Sequence, residues 1–164
     1  MQPTRTLTAH CTLSHPADGQ PLLTINNEHA KAEISLFGAH VLRYQRHSEP
    51  ASLWLSDKAV LDGSKPIRGG IPLCWPWFGP APARVGSGKP AHGFARTSLW
   101  TLDGVSDHGD GTLVHLSLRD TDASRALWPH AFELELDVLV GKELSLVLTT
   151  RNIGKTPLTY NAAL

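Results

Sequence analysis

Two arginines beside glycines are the residues of this 164-residue chain whose types and spacing most clearly offer chemistry. Arg68 directly precedes Gly69-Gly70, and Arg96 ends the run His92-Gly93-Phe94-Ala95-Arg96. A guanidinium is a planar, forked donor that suits a phosphate or a carboxylate, and glycine lets another group approach the backbone closely. Two such arginines that converge on one pocket would bind an anion. The alternative is that both are ordinary surface charges.

The segment between the arginines contributes flat apolar side chains. Trp75, Trp77 and Phe78 lie between prolines within residues 73–80. Their faces would suit the C–H faces of a sugar ring, and the alternative is that they belong to the hydrophobic core. Cys74 lies in the same apolar run and is predicted to be a small core residue rather than a nucleophile.

His92 stands between Ala91 and Gly93, a position that fits three roles. It could act as a general base, donate to a substrate or fix a turn, and the local sequence favours the turn. The chain has no His-x-His or His-Glu-x-x-His pair, no G-x-S-x-G elbow and no phosphate-binding or dinucleotide-binding loop. The sequence therefore predicts no metal site and contains none of these nucleotide-binding motifs.

Alternation of apolar and polar residues predicts that β-strands position these groups. In residues 132–140 the alternation is strict, with Glu133 and Glu135 on the solvated face, and Gly141-Lys142 then offers a tight hairpin turn. Further strands are predicted at 21–25, 32–36, 41–44, 52–55, 112–118, 144–149 and 158–164. One helical turn is predicted over 123–127, capped by Asp120 or Thr121 and ended by Trp128-Pro129. The predicted fold class is all-β, a mostly antiparallel β-sandwich, with a long irregular segment over 62–100.

The composition limits the partners of the chain. Its 15 basic and 15 acidic residues give a net charge of zero, which excludes the electrostatic footprint of a general nucleic-acid or anionic-membrane binder. No apolar run is long enough to span a membrane, and two cysteines are too few for a disulfide framework. The length predicts one domain with a substantial core. We expect a cytoplasmic monomer without nucleic-acid or membrane partners.

The two motifs together resemble the hexose-6-phosphate mutarotases, also called glucose-6-phosphate 1-epimerases, of the galactose-mutarotase-like superfamily. The similarity rests on residues 62–79, on residues 92–96 and on Trp100, and it extends from about Trp54 to Leu164. It implies a large antiparallel β-sandwich that interconverts the α and β anomers of an aldohexose 6-phosphate. In such enzymes a carboxylate and a histidine open and close the sugar ring by acid–base catalysis, without cofactor or metal.

The resemblance also implies roles for individual residues. Arg68 and Arg96 match arginines that hold the substrate, and His92 matches a histidine near the site that is not the catalytic acid. Trp75 and Phe78 are also expected to contact the substrate, on the separate ground that their flat apolar faces suit a sugar ring. Many family members carry a glutamine before the His-Gly motif, where this chain has Ala91, so that contact is not expected here.

The chain departs from the family pattern at the catalytic pair. The resemblance places the catalytic histidine directly after a strand like residues 160–164 and the catalytic glutamate much further along. None of the glutamates here lies in a matching motif, and Glu133 and Glu135 are predicted to lie on a solvated face. Residues 1–164 are therefore expected to be the N-terminal portion of a single sandwich domain, inactive by itself, with an open sheet edge at its last strand.

Three other interpretations remain open at this stage. The chain could be a β-sandwich module that binds a phosphorylated sugar without converting it. It could belong to a mutarotase for unphosphorylated aldoses, although two cations beside a neutral sugar argue against this. It could also be a purely structural domain, which would leave the two arginine motifs unexplained.

Overall fold

The computed structural model describes residues 2–164, with side chains from residue 4 onward. Within this range the strands form two antiparallel sheets, and inside each sheet every strand pairs with the next strand in the sequence. The first sheet contains β1 (Gln2–Thr6), β2 (Cys11–His15), β3 (Leu22–Asn26), β4 (Ala30–Ser35) and β5 (His40–Arg46). The second sheet contains β6 (Thr101–His108), β7 (Gly111–Arg119), β8 (Phe132–Gly141) and β9 (Leu144–Asn152).

The two sheets enclose one hydrophobic core. The inward-facing residues of β8 are fully buried and belong to the same cluster as Leu23 and Ile34 of the first sheet; they are Phe132, Leu134, Leu136, Val138 and Val140. Period-two alternation puts Glu133 and Glu135 on the opposite face, where they pair with Arg119 and Arg151 at 3.1 and 2.7 Å. The predicted antiparallel β-sandwich and the solvated position of both glutamates are confirmed.

The hairpin between β8 and β9 is one residue longer than predicted. Val140 pairs with Leu144, so three residues, Gly141, Lys142 and Glu143, separate the two members of this last pair. The Gly141 N–H donates to the Glu143 carbonyl at 3.1 Å, which closes the turn around the extra residue. Gly141 also pairs with Gly111 of β7, so it continues the strand rather than starting the turn.

The predicted helix forms as α1 (Asp122–Leu127), between β7 and β8. Thr121 is the cap: its hydroxyl accepts the Ser124 N–H at 3.1 Å, and the Ser124 hydroxyl accepts the Thr121 N–H at 2.8 Å. The helix ends at Trp128-Pro129, as expected from the missing N–H of proline. No helix within residues 2–164 is both long and apolar enough to cross a membrane.

Two segments that were predicted as strands make only single bridges. Leu55 bridges Gly69, and Ala163 bridges Cys74, without forming longer ladders. Both partners belong to the irregular segment, whose turns and prolines prevent a continuous ladder. Conversely, β1 and β2 were not predicted, because residues 2–6 and 11–15 show little alternation of apolar and polar residues.

Candidate functional site

The Arg68-Gly69-Gly70 turn is fixed by backbone hydrogen bonds on two sides. The Gly70 N–H donates to the Trp54 carbonyl at 2.7 Å, and the Ser56 N–H donates to the Arg68 carbonyl at 3.1 Å. The Arg68 side chain is exposed, with its guanidinium 6.0 Å from the centroid of the Trp54 ring. The turn therefore holds its backbone in place while it presents the Arg68 side chain to solvent.

The His92 loop is closed against Gly79. The His92 N–H donates to the Gly79 carbonyl at 2.7 Å, and the Gly79 N–H lies 3.1 Å from His92 Nδ1. Because Nδ1 accepts this bond, the neutral ring carries its proton on Nε2. His92 has a φ of 63°, a left-handed conformation that is strained for a residue with a Cβ. His92 thus fixes the turn and still offers Nε2–H as a donor.

Arg96 supports the same loop. Its Nη2 donates to the Ala91 carbonyl at 3.0 Å, while its Nε is buried and has no hydrogen-bond partner among the described residues. The side chain is half-buried. Among the described side chains, no carboxylate forms an ion pair with Arg96 or with Arg68, in contrast to Arg119, Arg125 and Arg151. Both expected anion-binding cations therefore lack a carboxylate partner in this part of the chain.

The expected contact between Trp75 and a sugar is corrected by its burial. The Trp75 side chain is 0% exposed, and its ring lies 4.6 to 5.7 Å, centroid to centroid, from the rings of Phe132, Trp128 and Phe94. Trp77 is buried as well, with Nε1 donating to the Pro90 carbonyl at 2.9 Å. Both tryptophans are core residues, because they face the space between the sheets, where apolar area is removed from water.

Phe78 is the aromatic residue of this segment that faces solvent. It is 56% exposed, and its ring lies 5.0 Å from the His92 ring. The structure thus brings Phe78, His92 and Arg96 together around one loop. Arg68 lies on a separate turn, with its guanidinium near the Trp54 ring, and Trp75 is buried in the core.

The backbone of Trp75 nevertheless joins the two motifs. Its carbonyl accepts the N–H groups of Phe94 and Ala95 at 3.0 and 3.2 Å. Next to it, Cys74 is buried, and burial raises the pKa of its thiol while Arg96 opposes that shift. Cys74 is thus a core residue, as predicted.

The last residues of the chain lie along this aromatic segment. Cys74 and Ala163 exchange backbone hydrogen bonds of 2.9 and 3.1 Å, and the Asn161 N–H donates to the Pro76 carbonyl at 3.2 Å. The Asn161 side-chain oxygen accepts the Phe78 N–H at 2.7 Å. Residues 161–163 therefore run beside the loop that carries Phe78 and His92.

The structure places two further residues at this site that the sequence did not indicate. Trp54, which marks the start of the family similarity, is exposed beside Arg68. His40 is 1% exposed, and its Nε2 lies 2.7 Å from the Gly69 carbonyl oxygen. Burial lowers the pKa of His40 below its ordinary value; the bond to Gly69 opposes this and the nearby Arg96 adds to it. The signal available in the sequence was a histidine inside the apolar run 36–42, directly after Gly38-Ala39.

The charge and shape of the site suit an anion more than a cation. Among the described residues, no three His, Cys, Asp or Glu side chains are grouped so as to hold a metal ion. A concavity of about 770 Å³ lies elsewhere, on the outer face of the second sheet, and is lined by Asp103, His115, Glu133 and Glu135 among others. Its acidic lining would repel a phosphate. An anion therefore suits the arginines better than it suits this concavity, despite the size of the concavity.

Comparison with solved structures defines the class of this sandwich. A galactose mutarotase-like protein from Lactobacillus casei shares the fold, with a TM-score of 0.62 at 24% identity over 80% of this chain and 44% of that one. A Salmonella typhimurium crystal structure, described as that of a "putative mutarotase", matches with a TM-score of 0.84 at 34% identity over 91% of this chain and 50% of that one. The chain thus has a galactose-mutarotase-like fold.

The family follows from the sequence comparisons. The family model for aldose 1-epimerase matches residues 21–164. An Escherichia coli K12 protein named "Putative glucose-6-phosphate 1-epimerase" is 38% identical over 139 residues, which cover 85% of this chain and 46% of that protein. The chain belongs to the aldose 1-epimerase family. It spans about half the length of the curated relatives it matches.

Proposed function

We propose that residues 1–164 are the N-terminal portion of a single sandwich domain whose complete form interconverts the α and β anomers of an aldohexose 6-phosphate such as glucose 6-phosphate. The observation that carries the proposal is the pair of arginines without carboxylate partners, Arg68 and Arg96, on two adjoining segments. The names of the Escherichia coli and Salmonella relatives support the same activity.

The proposed role of the arginines is to bind the phosphate. A phosphomonoester is a dianion whose oxygens accept hydrogen bonds from guanidinium groups, often two at a time. Arg68 is exposed, and Arg96 uses one Nη2 bond for its own loop, so both retain donors for a ligand. His92, through Nε2–H, and the exposed face of Phe78 are proposed to contact the sugar.

The proposed chemistry is acid–base catalysis of ring opening. A carboxylate removes the proton from the anomeric hydroxyl while a histidine protonates the ring oxygen, and the bond between C1 and that oxygen breaks. Rotation about C1–C2 followed by the reverse proton transfers closes the ring on the other face. Atoms and charge balance, so no cofactor is required.

The proposal assigns the acid to a histidine that follows the 160–164 segment in the family pattern. The pairing of Ala163 with Cys74 supports this assignment, because it directs that segment along the loop of Phe78 and His92. The base is assigned to a glutamate of the family's C-terminal half. Residues 1–164 would then bind the substrate without converting it.

A phosphosugar-binding module is the second candidate function. It is favoured by the same arginines together with the lack of any ion-paired carboxylate beside them in the described residues. Both candidates predict phosphate-dependent binding, and they differ in whether the complete protein converts the anomers.

The binding test compares glucose 6-phosphate with glucose by isothermal titration calorimetry. We expect Arg68→Gln and Arg96→Gln each to weaken binding of glucose 6-phosphate at least about tenfold, because each removes a charge-assisted contact. Arg5→Gln is the matched control: Arg5 lies on β1, four strands away from β5, which is about 19 Å. Equal losses for the phosphorylated and the neutral sugar would overturn the phosphate assignment.

A further inference from the structure

Residues 36–41 form the shared support of both arginine-bearing segments. On one side the Gly38 N–H donates to the Ser98 carbonyl at 2.7 Å, and on the other side the Ile71 N–H donates to the Val41 carbonyl at 2.9 Å. Gly38 has a φ of 80°, and a Cβ there would lie 2.6 Å from the Arg96 carbonyl oxygen. This support therefore contacts the backbone of the Arg96 turn directly and has no room for a side chain.

The peptide group between Gly69 and Gly70 is held from both sides. Its carbonyl accepts from His40 Nε2 at 2.7 Å, and its N–H donates to the Trp54 carbonyl at 2.7 Å. Both flanking residues are glycines, so sterics alone leave this peptide plane more orientations than any other pair of residues would. The two hydrogen bonds set its orientation, and with it the direction in which the preceding residue, Arg68, leaves the turn.

His40 suits this task chemically. A carbonyl oxygen only accepts, so Nε2 carries the proton and Nδ1 is the unprotonated nitrogen of a neutral ring. Nδ1 is buried and has no hydrogen-bond partner among the described residues. A buried polar atom of this kind opposes folding, and an apolar residue would fill the same core position without that cost. We therefore attribute the histidine at position 40 to the hydrogen bond that its Nε2–H donates.

The imidazole of His40 lies close to the backbone of Gly70. Gly70 has a φ of 63°, and a Cβ there would lie 2.9 Å from His40 Nε2 and still closer to the Val41 carbonyl. The close approach of the imidazole to the turn thus requires glycine at position 70. His40 thus both binds Gly69 through a hydrogen bond and packs against Gly70.

We propose that His40 is a positioning residue for phosphate binding: its Nε2–H fixes the Gly69–Gly70 peptide plane and thereby aims Arg68 while the same segment supports Arg96. The inference rests on the proposed function, because it takes the sugar phosphate as the ligand of Arg68. His40 itself touches no substrate in this proposal.

The first test measures binding of glucose 6-phosphate and glucose to His40→Leu and His40→Gln. We expect His40→Leu to weaken glucose 6-phosphate binding about tenfold, the effect of losing one buried hydrogen bond, with little change for glucose. His40→Gln keeps an N–H donor and is expected to recover part of the affinity. His47→Leu is the matched control, because His47 Nε2 also lies 2.7 Å from a backbone carbonyl, that of Asn27, at the other end of β5.

A double-mutant comparison shows whether His40 acts through Arg68. In the Arg68→Gln background, His40→Leu is expected to cause no further loss of glucose 6-phosphate binding. Equal losses for both sugars, or additive losses in the double variant, would overturn the role of His40 and leave the proposed function intact. A wild-type chain that binds no glucose 6-phosphate would overturn the proposed function itself, and the inference with it.

A measurement on the wild-type chain covers the case in which His40→Leu does not fold. Nitrogen-15 NMR of labelled histidine is expected to show His40 as the neutral Nε2–H tautomer, with a slowly exchanging proton. The Nδ1–H tautomer would remove the hydrogen bond to Gly69 and overturn the inference.

Discussion

At the scale of single residues, burial separates the two aromatics that the sequence offers for contact with a sugar. Trp75 is enclosed by aromatic rings, while Phe78 is largely exposed. We expect Trp75→Ala to lower the free energy of unfolding by about 3–5 kcal/mol, because it leaves a large cavity in the core. Phe78→Ala is the control and is expected to change it by about 0.5 kcal/mol or less. Urea denaturation measures both, and comparable losses would contradict the placement of Trp75.

His40 gives the unfolding free energy a defined pH dependence. Burial lowers the pKa of His40 from its ordinary value of 6.5 in the folded chain, so the unfolded chain binds the proton more readily. The contribution of His40 is thus fully present above about pH 6.5 and is lost as the pH falls towards the folded pKa.

The measurement is a series of urea unfolding curves between pH 7.5 and pH 5. We expect the wild type to lose stability across this range more steeply than His40→Gln, which has no titrating group at position 40. Parallel pH profiles for the two proteins would show that position 40 does not contribute in this way.

At the scale of elements, the outer edge of β9 is the most exposed pairing surface. β9 pairs only with β8 among the described strands and runs for nine residues without proline, lysine or a register shift. The other edge strands, β1, β5 and β6, each pair across a register shift, which hinders edge-to-edge pairing, and β5 is also bridged by Ile71. The sequence alone predicts a monomer, but this edge leads us to expect association of residues 1–164 that increases with chain concentration.

Light scattering after size exclusion checks this expectation. Val147 is exposed on β9, so Val147→Lys places a charge on the edge strand without removing a core contact and should shift the chain towards the monomer. Glu28→Gln, in the turn between β3 and β4, is the control, because it changes the net charge of the chain by the same single unit. A wild-type chain that stays monomeric at high concentration would contradict the prediction.

The elements that the sequence predicts well are those with strict alternation. β8 and β9 follow from period two, and α1 follows from its cap and its proline. The single bridges at Leu55 and Ala163 could not be predicted, because they depend on where the irregular segment lies. For the same reason the sequence indicated Arg68, Arg96 and His92 but not the supporting role of His40, which depends on a contact across 29 positions of the chain.

At the scale of the whole molecule, two sheets around one core hold an irregular segment that contains both motifs. The chain is neutral as a whole, so the proposed anion site depends on a local pair of cations rather than on a general field. The family model covers residues 21–164, while the curated relatives extend over about twice this length. Our proposal for residues 1–164 is that they bind a sugar phosphate but do not convert it.

Exchange NMR of glucose 6-phosphate in the presence of the chain tests that claim most directly, because one sample reports both binding and conversion. We predict chemical-shift changes that depend on Arg68 and Arg96, together with α–β exchange at the spontaneous rate. Exchange clearly faster than the spontaneous rate, and lost in His92→Gln, would overturn the proposal that residues 1–164 bind without converting. It would place the proton transfer within these 164 residues.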